Sequence, residues 1–207
     1  ELPKSIIIIG GGVIGIEWAS MLTDFGVDVT VVEYMDQILP TEDLDVAKEV
    51  EKQLKRKGVT FVKNAKVLAD TLQKDSGVTI NAEIGDSVQS FAADKILVSV
   101  GRQANVTNIG LENTDIEVEK GVIKTSPFYQ TKEAHIYAIG DVIGGMQLAH
   151  VASHEGIVAV EHMNNTQTEP LNYNNIPACI YSNPEAASVG LTEKQAKEQG
   201  FDIKVGK

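Results

Sequence analysis

Cysteine is the scarcest reactive residue in this sequence: Cys179 is alone among 207 residues. One thiol excludes an internal disulfide and any cysteine redox pair within these residues, and it suits a reducing, cytosolic compartment. Basic residues are outnumbered as well, 18 Lys and Arg against 29 Asp and Glu, for a formal net charge of −11. That balance argues against nucleic-acid binding by a general electrostatic route. No apolar run reaches membrane-spanning length, and no basic-then-apolar leader precedes the first strand. A starting methionine is lacking too. Glu1-Leu2-Pro3-Lys4 leads directly into an apolar run, which reads as a cut inside a longer protein. There are no internal repeats, no low-complexity segments and no expected metal site. The remaining composition is that of an ordinary globular protein, with enough apolar content for one large domain or two small ones.

What is present begins at Ile6-Ile7-Ile8-Ile9, a run with the length and β-branching of a strand buried on both faces. Gly10-Gly11-Gly12-Val13-Ile14-Gly15 follows at once, spelling G-x-G-x-x-G. Ile14, Trp18, Met21 and Phe25 then recur at the spacing of one helical face, and Gly26 offers a left-handed C-terminal cap. A second strand, Val27 to Val32, ends on Glu33. The spacing has a chemical reading. Gly10 permits the tight turn, Gly12 lets a diphosphate approach the backbone, and Gly15 lets the helix lie close to the sheet. The free N–H groups of the helix start face the anion. Glu33, about twenty residues beyond the glycines, stands where a carboxylate accepts from the adenosine ribose hydroxyls. It would repel a 2′-phosphate, and Tyr34 and Met35 supply no arginine to welcome one, so NAD is favoured over NADP.

Further along, a helix is expected over about Asp43 to Lys57. Glu42, Asp43 and Asp45 lie at its start, Lys55, Arg56 and Lys57 at its end, and Gly58 stops it. Val46, Val50 and Leu54 give it an apolar edge. The strand Val59 to Val62 completes β-α-β-α-β. The next crossover reads as an antiparallel meander of short strands, Val67-Leu68, Val78 to Ile84 and Val88 to Phe91. It returns to a parallel strand, Lys95 to Val100. Ser99, Val100, Gly101 and Arg102 should therefore border the cofactor crevice at the strand ends, although Arg102 equally suits a surface ion pair. A hairpin is expected at Ile116 to Val118 and Val122 to Lys124. A short buried strand, Ile136 to Ile139, ends on Gly140-Asp141, ahead of a helix from Leu148-Ala149-His150 to about Asn164. Asp141 reads either as a second nucleotide ligand or as a turn or N-cap residue. A strand at Ala178 to Tyr181, a turn at Asn183-Pro184, a helix from Thr192 to Gln199 with a capping box, and a strand beginning at Ile203 close the reading. This last region is too short to bury a core of its own.

With these residues in hand, Gly10 to Glu17 (GGGVIGIE), Val100-Gly101-Arg102, Thr131 to Asp141 (TKEAHIYAIGD), Leu148-Ala149-His150 and Tyr181 to Thr192 (YSNPEAASVGLT) together resemble the pyridine-nucleotide disulfide oxidoreductases. The likeness covers essentially the whole sequence. It implies an α/β protein whose Rossmann-type parallel sheet with a β-meander crossover is an NAD-binding domain (1–113). Part of an FAD-type nucleotide-binding domain (114–170) and the truncated start of an α+β dimerisation domain (171–207) follow. On that likeness the NAD side comprises Gly10, Gly11, Gly12, Val13, Ile14, Gly15, Glu17, Glu33, Val67, Ser99, Val100, Gly101 and Arg102. The FAD side comprises Asp141 on the ribityl chain, with Gln147, Leu148, Ala149 and His150 at the helix start facing the flavin ring. Glu17 would lie near the nicotinamide–flavin contact.

The likeness further implies a homodimer, and among family members a flavoenzyme of bacterial branched-chain 2-oxoacid dehydrogenase complexes, taking electrons from lipoyl domains. The family's redox cysteines and His-Glu dyad are not among these residues. Cys179 is expected to be a small buried residue, and His135, His150, His154 and His162 to be structural or at the surface. By itself the chain is expected to bind NAD weakly, to retain no FAD and to reduce no disulfide. The alternatives are a family member with another acceptor (mercuric, glutathione or coenzyme A disulfide reductase, or a soluble transhydrogenase) and a non-catalytic NAD-sensing module. An ordinary alcohol or hydroxyacid dehydrogenase lacks a substrate domain here.

Overall fold

The isoleucine run forms β1 (Ser5–Ile9) in the computed structural model, which describes residues 1–206. α1 (Val13–Asp24) follows and buries Gly15, Ile16, Ala19, Ser20 and Leu22. The face marked by Ile14, Trp18, Met21 and Phe25 points outward instead, and all four side chains are exposed. A helix lying close on a sheet needs small residues at the contact, so the bulky stripe falls on the opposite side. β2 (Asp28–Val32) pairs parallel with β1, Ile7 opposite Thr30 and Ile9 opposite Val32. α2 (Leu44–Arg56) covers the sheet with Ala47, Val50 and Leu54, and β3 (Thr60–Val62) pairs parallel with β2.

The meander comprises β4 (Ala65–Lys74), β5 (Val78–Ile84) and β6 (Ser87–Ala93), antiparallel throughout. β4 is longer than the expected Val67-Leu68 because it continues past a register shift between Leu68 and Gln73. Thr71 bridges the shift: its hydroxyl donates to Leu68 O at 2.6 Å and accepts from Asn81 N–H at 3.0 Å. β7 (Lys95–Val98) then pairs parallel with β1, giving the order β3-β2-β1-β7. Alternation along β1 serves two cores. Ile6 and Ile8 pack with Ile16, Ala19, Leu22, Val50 and Leu54, whereas Ile7 packs with Val32, Ala65, Ile80, Ala82 and Phe91 from the meander side.

One charged side chain is buried along α2. Glu51 accepts from Lys55 Nζ at 2.7 Å and from Lys63 Nζ at 2.9 Å. Burial pushes its pKa up, but the two ammonium hydrogen bonds outweigh burial and hold it below the ordinary carboxylate value. A folded pKa below the unfolded one stabilises the fold above the unfolded pKa, and this contribution fades as pH falls through the folded one. A Glu51→Gln variant should therefore melt below the wild type at neutral pH and converge with it below about pH 4. Thermal melts across that range check this.

Residues 102–178 form a second compact unit, and the segment from Cys179 onward groups with residues 1–101. In the second unit β8 (Val118–Glu119) and β9 (Val122–Ile123) form the expected hairpin. The strand expected over Ile136 to Ile139 is reduced to one bridge, Gln130 to Tyr137, flanked by Thr131 N–H to Ile136 O and Ala138 N–H to Tyr129 O. α3 (Ala149–Met163) packs Val158 and Ala159 against Tyr129.

The C-terminal segment carries β10 (Ala178–Ile180), β11 (Ala186–Ser188) and α4 (Glu193–Glu198), the last with the expected capping box between Thr192 and Gln195. Ile180 is buried in the first unit's core and Ala186 packs on it, so this short segment borrows a core. Strand alternation then turns Cys179 outward: it is exposed, not buried as expected. The sequence pattern does not signal β11, and no strand forms at Ile203.

Candidate functional site

The glycine corner is built from three strand ends. Gly10 N–H donates to Val32 O at 2.9 Å, and Leu39 N–H donates to Gly11 O at 2.8 Å, so β2 and the loop after it hold the turn from one side. Ser99, just past β7, holds it from the other, its hydroxyl donating to Ile9 O at 3.0 Å and Gly10 O at 3.2 Å. Gly10 has φ +104°, and a Cβ there would lie 2.4 Å from Ser99 O. At Gly15 a Cβ would lie 1.9 Å from Gly10 O, so the α1 backbone touches the turn. Gly12 is different: no atom lies within 4 Å of the position its Cβ would take. It is the N-cap of α1 and no side chain caps the helix. The corner thus presents open space next to unpaired N–H groups, the arrangement that receives a diphosphate.

Glu33 is buried and already has two donors. Gly11 N–H donates to its Oε2 at 2.5 Å and Met35 N–H to its Oε1 at 2.7 Å. A carboxylate oxygen carries more than one acceptor site, so a ribose hydroxyl can still be accepted. The sequence pattern places the acid at the end of β2 but does not signal its hold on the glycine loop. Val13 and Ile14 open α1 beside the corner. Glu17, on the next turn, accepts from Tyr181 N–H at 2.8 Å, and Ser20 Oγ accepts from Asn183 N–H at 2.9 Å. α1 therefore anchors the C-terminal segment, a role the sequence did not signal. Val67 packs against the meander-side core, and Val100 and Gly101 are exposed beyond β7.

The second unit brings together Arg102, Asp141 and Gln147. Arg102 Nη1 lies 3.0 Å from Asp141 Oδ2, and Nη2 donates to Gln147 O at 2.7 Å. The ion pair that Arg102 equally suits is formed, with Asp141. Asp141 lies in a 3₁₀ turn, Gly140–Ile143. Leu148 is the N-cap of α3, again without a side-chain cap, leaving first-turn N–H groups available beside Ala149 and His150. His150 Nε2 lies 3.0 Å from Pro177 O. His162 Nδ1 lies 2.7 Å from Tyr137 Oη with its ring stacked on Phe128, while His135 and His154 are exposed. An exposed carboxylate next to an uncapped helix start suits a polyol chain and an electron-rich ring, so the residues present fit the ribityl–flavin end of FAD.

A parallel sheet carrying an open glycine corner, a meander crossover and an acid closing β2 defines a dinucleotide-binding α/β protein. Comparison narrows this: the chain belongs to the pyridine nucleotide-disulphide oxidoreductase family, whose model matches residues 1–156, and that family's dimerisation-domain model matches residues 176–207. The dihydrolipoyl dehydrogenase of Bacillus subtilis is 62% identical over all of this chain and 44% of its own length. That of Rhizobium etli is 44% identical over all of this chain and 43% of its own. Among solved structures, LpdA from Mycobacterium tuberculosis superposes with a TM-score of 0.87 at 30% identity, covering 96% of this chain and 43% of that one. The HOCl-induced flavoprotein disulfide reductase RclA from Escherichia coli gives 0.87 at 30%, covering 99% and 46%. The chain thus spans less than half the length of the relatives it matches. Among the described residues no helix is long and apolar enough to cross a membrane, and no cluster of metal-ligating side chains occurs.

Proposed function

We propose that these residues form the NAD-binding part and the ribityl–flavin end of the FAD-binding part of a dihydrolipoyl dehydrogenase. In this reading the whole protein passes electrons from a dihydrolipoyl dithiol through a cysteine pair and FAD to NAD. The observation that carries the NAD half is the glycine corner, open at Gly12 and tied at Gly11 to Glu33. The choice of dithiol rests on the 62% identity to a dihydrolipoyl dehydrogenase along the entire chain. FAD, when bound, supplies the two-electron relay between dithiol and nicotinamide. The residues here do the holding. Gly12 and the α1 start receive the diphosphate of NAD, Gly11 ties the loop to Glu33, Glu33 accepts from the ribose, Asp141 accepts from the ribityl hydroxyls, and the α3 start favours negative charge on the ring. A homodimer is supported by the dimerisation-domain match. Attachment to a 2-oxoacid dehydrogenase complex and a cytoplasmic location belong to the same proposal.

The test is an assay of the protein expressed from its whole gene. Dihydrolipoamide with NAD should be turned over, and NADP should serve at least about tenfold less well, because the negative Glu33 carboxylate, with no cation beside it, faces the 2′-phosphate. Turnover with glutathione disulfide and NADPH, and none with dihydrolipoamide, would instead place the protein among the other disulfide reductases.

A further inference from the structure

Beneath the Asp141 turn lies a carboxylate that the proposed function leaves unused. Glu155, on α3, is 2% exposed. Gly140 N–H donates to its Oε2 at 2.6 Å, and Tyr173 O–H donates to its Oε1 at 2.8 Å. Tyr173 Oη lies 3.2 Å from Oη of Tyr129, itself buried. Burying a carboxylate is costly unless its oxygens find donors, and here each oxygen has one. The turn is seated closely on the helix. A Cβ on Gly140, at φ +73°, would lie 3.2 Å from Ala152 Cβ, and one on Gly156 would lie 3.3 Å from Ile139 Cδ1. Burial, followed by the hydrogen bonds with Tyr129 and Glu155, pushes the Tyr173 phenol far above the ordinary tyrosine range.

We propose that Glu155 is a positioning residue for flavin: by holding the Gly140 N–H it fixes the turn from which Asp141 presents its carboxylate, and through Tyr173 it ties that turn to the segment entering β10. Arg102 draws on the Asp141 side chain from beyond the turn, so the backbone beneath must be held if the carboxylate is to keep its direction. Tyr129 backs the phenol. The inference rests on the flavin reading of Asp141, and the experiment separates the two.

In the protein expressed from its whole gene, apoprotein is titrated with FAD by flavin fluorescence, the flavin midpoint potential is measured, and the apoprotein is melted. Asp141→Asn should weaken FAD about tenfold. Glu155→Ala should do the same, roughly tenfold, and shift the potential, while Glu155→Gln, which keeps an acceptor oxygen, should stay within about threefold of wild type. Tyr173→Phe, which keeps the ring, should fall between them and covers the case in which Glu155→Ala does not fold. If Asp141→Asn weakens FAD but Glu155→Ala and Tyr173→Phe lower only the apoprotein's melting temperature, Glu155 merely supports the fold and the inference is overturned. If Asp141→Asn leaves FAD affinity unchanged, the flavin reading falls and takes this inference with it.

Discussion

Alanine at Gly15 is expected to abolish detectable NAD binding and to lower the melting temperature by about 5–10 °C. Its Cβ would meet Gly10 O at 1.9 Å and Ser99 Oγ at 2.9 Å. Backbone cannot retreat as a flexible side chain can, so α1 would have to move off the turn. Gly10 O is also where Ser99 pins the loop, so the displacement spreads to the end of β7. Overpacking of this kind costs about 1–3 kcal/mol or more. Gly12→Ala is the matched comparison. With open space around it, the new methyl should leave the melting temperature nearly unchanged while weakening NAD by at least about tenfold, because it occupies the approach of the diphosphate. Calorimetric titration of both variants with NAD, alongside thermal melts, reads the contrast. Wild-type NAD affinity in Gly15→Ala would contradict the corner's role.

The parallel sheet, meander and glycine corner were legible because their signals are local. An isoleucine run, a glycine spacing and a terminal acid each declare themselves within a few residues. What escaped depends on partners distant in sequence. The Ile14, Trp18, Met21 and Phe25 stripe has the correct period, but period alone does not say which side of a helix faces the sheet. That is decided by the close contact at Gly15 and by small Ala19 and Ser20. Ile136 to Ile139 has strand composition but finds only one bridging partner. Residue type alone favours burial for Cys179, whereas its neighbour Ile180 takes the inward position. Within the candidate site, Ser99 could be placed at a strand end but not beneath a loop some 90 residues earlier. Glu155 gives no signal as one acid in an ordinary helix. Only the fold brings it under Gly140 and against Tyr173.

Glu33→Ala is expected to have a double effect, because that carboxylate joins the loop to the strand. Its two oxygens accept from Gly11 N–H and Met35 N–H, and the side chain is buried. Removing it strands two backbone donors, at about 1–3 kcal/mol each, so the variant should be less stable by roughly 2–6 kcal/mol and melt about 10 °C lower. NAD affinity should fall by more than about tenfold, through loss of both the ribose acceptor and the ordered loop. Glu33→Gln separates the two causes. An amide offers one acceptor oxygen where two N–H donors converge, and its NH₂ group opposes one of them. Stability should therefore fall less than with alanine, and the remaining oxygen must be shared between loop and ribose. NADP should lose less than NAD in both variants, since the repulsion is gone, yet stay well short of wild-type NAD affinity, since no cation is supplied for the phosphate. Should NAD affinity survive in both variants while the melting temperature drops, Glu33 would only be the brace of the glycine loop, and the sugar of the nucleotide would have to be held elsewhere.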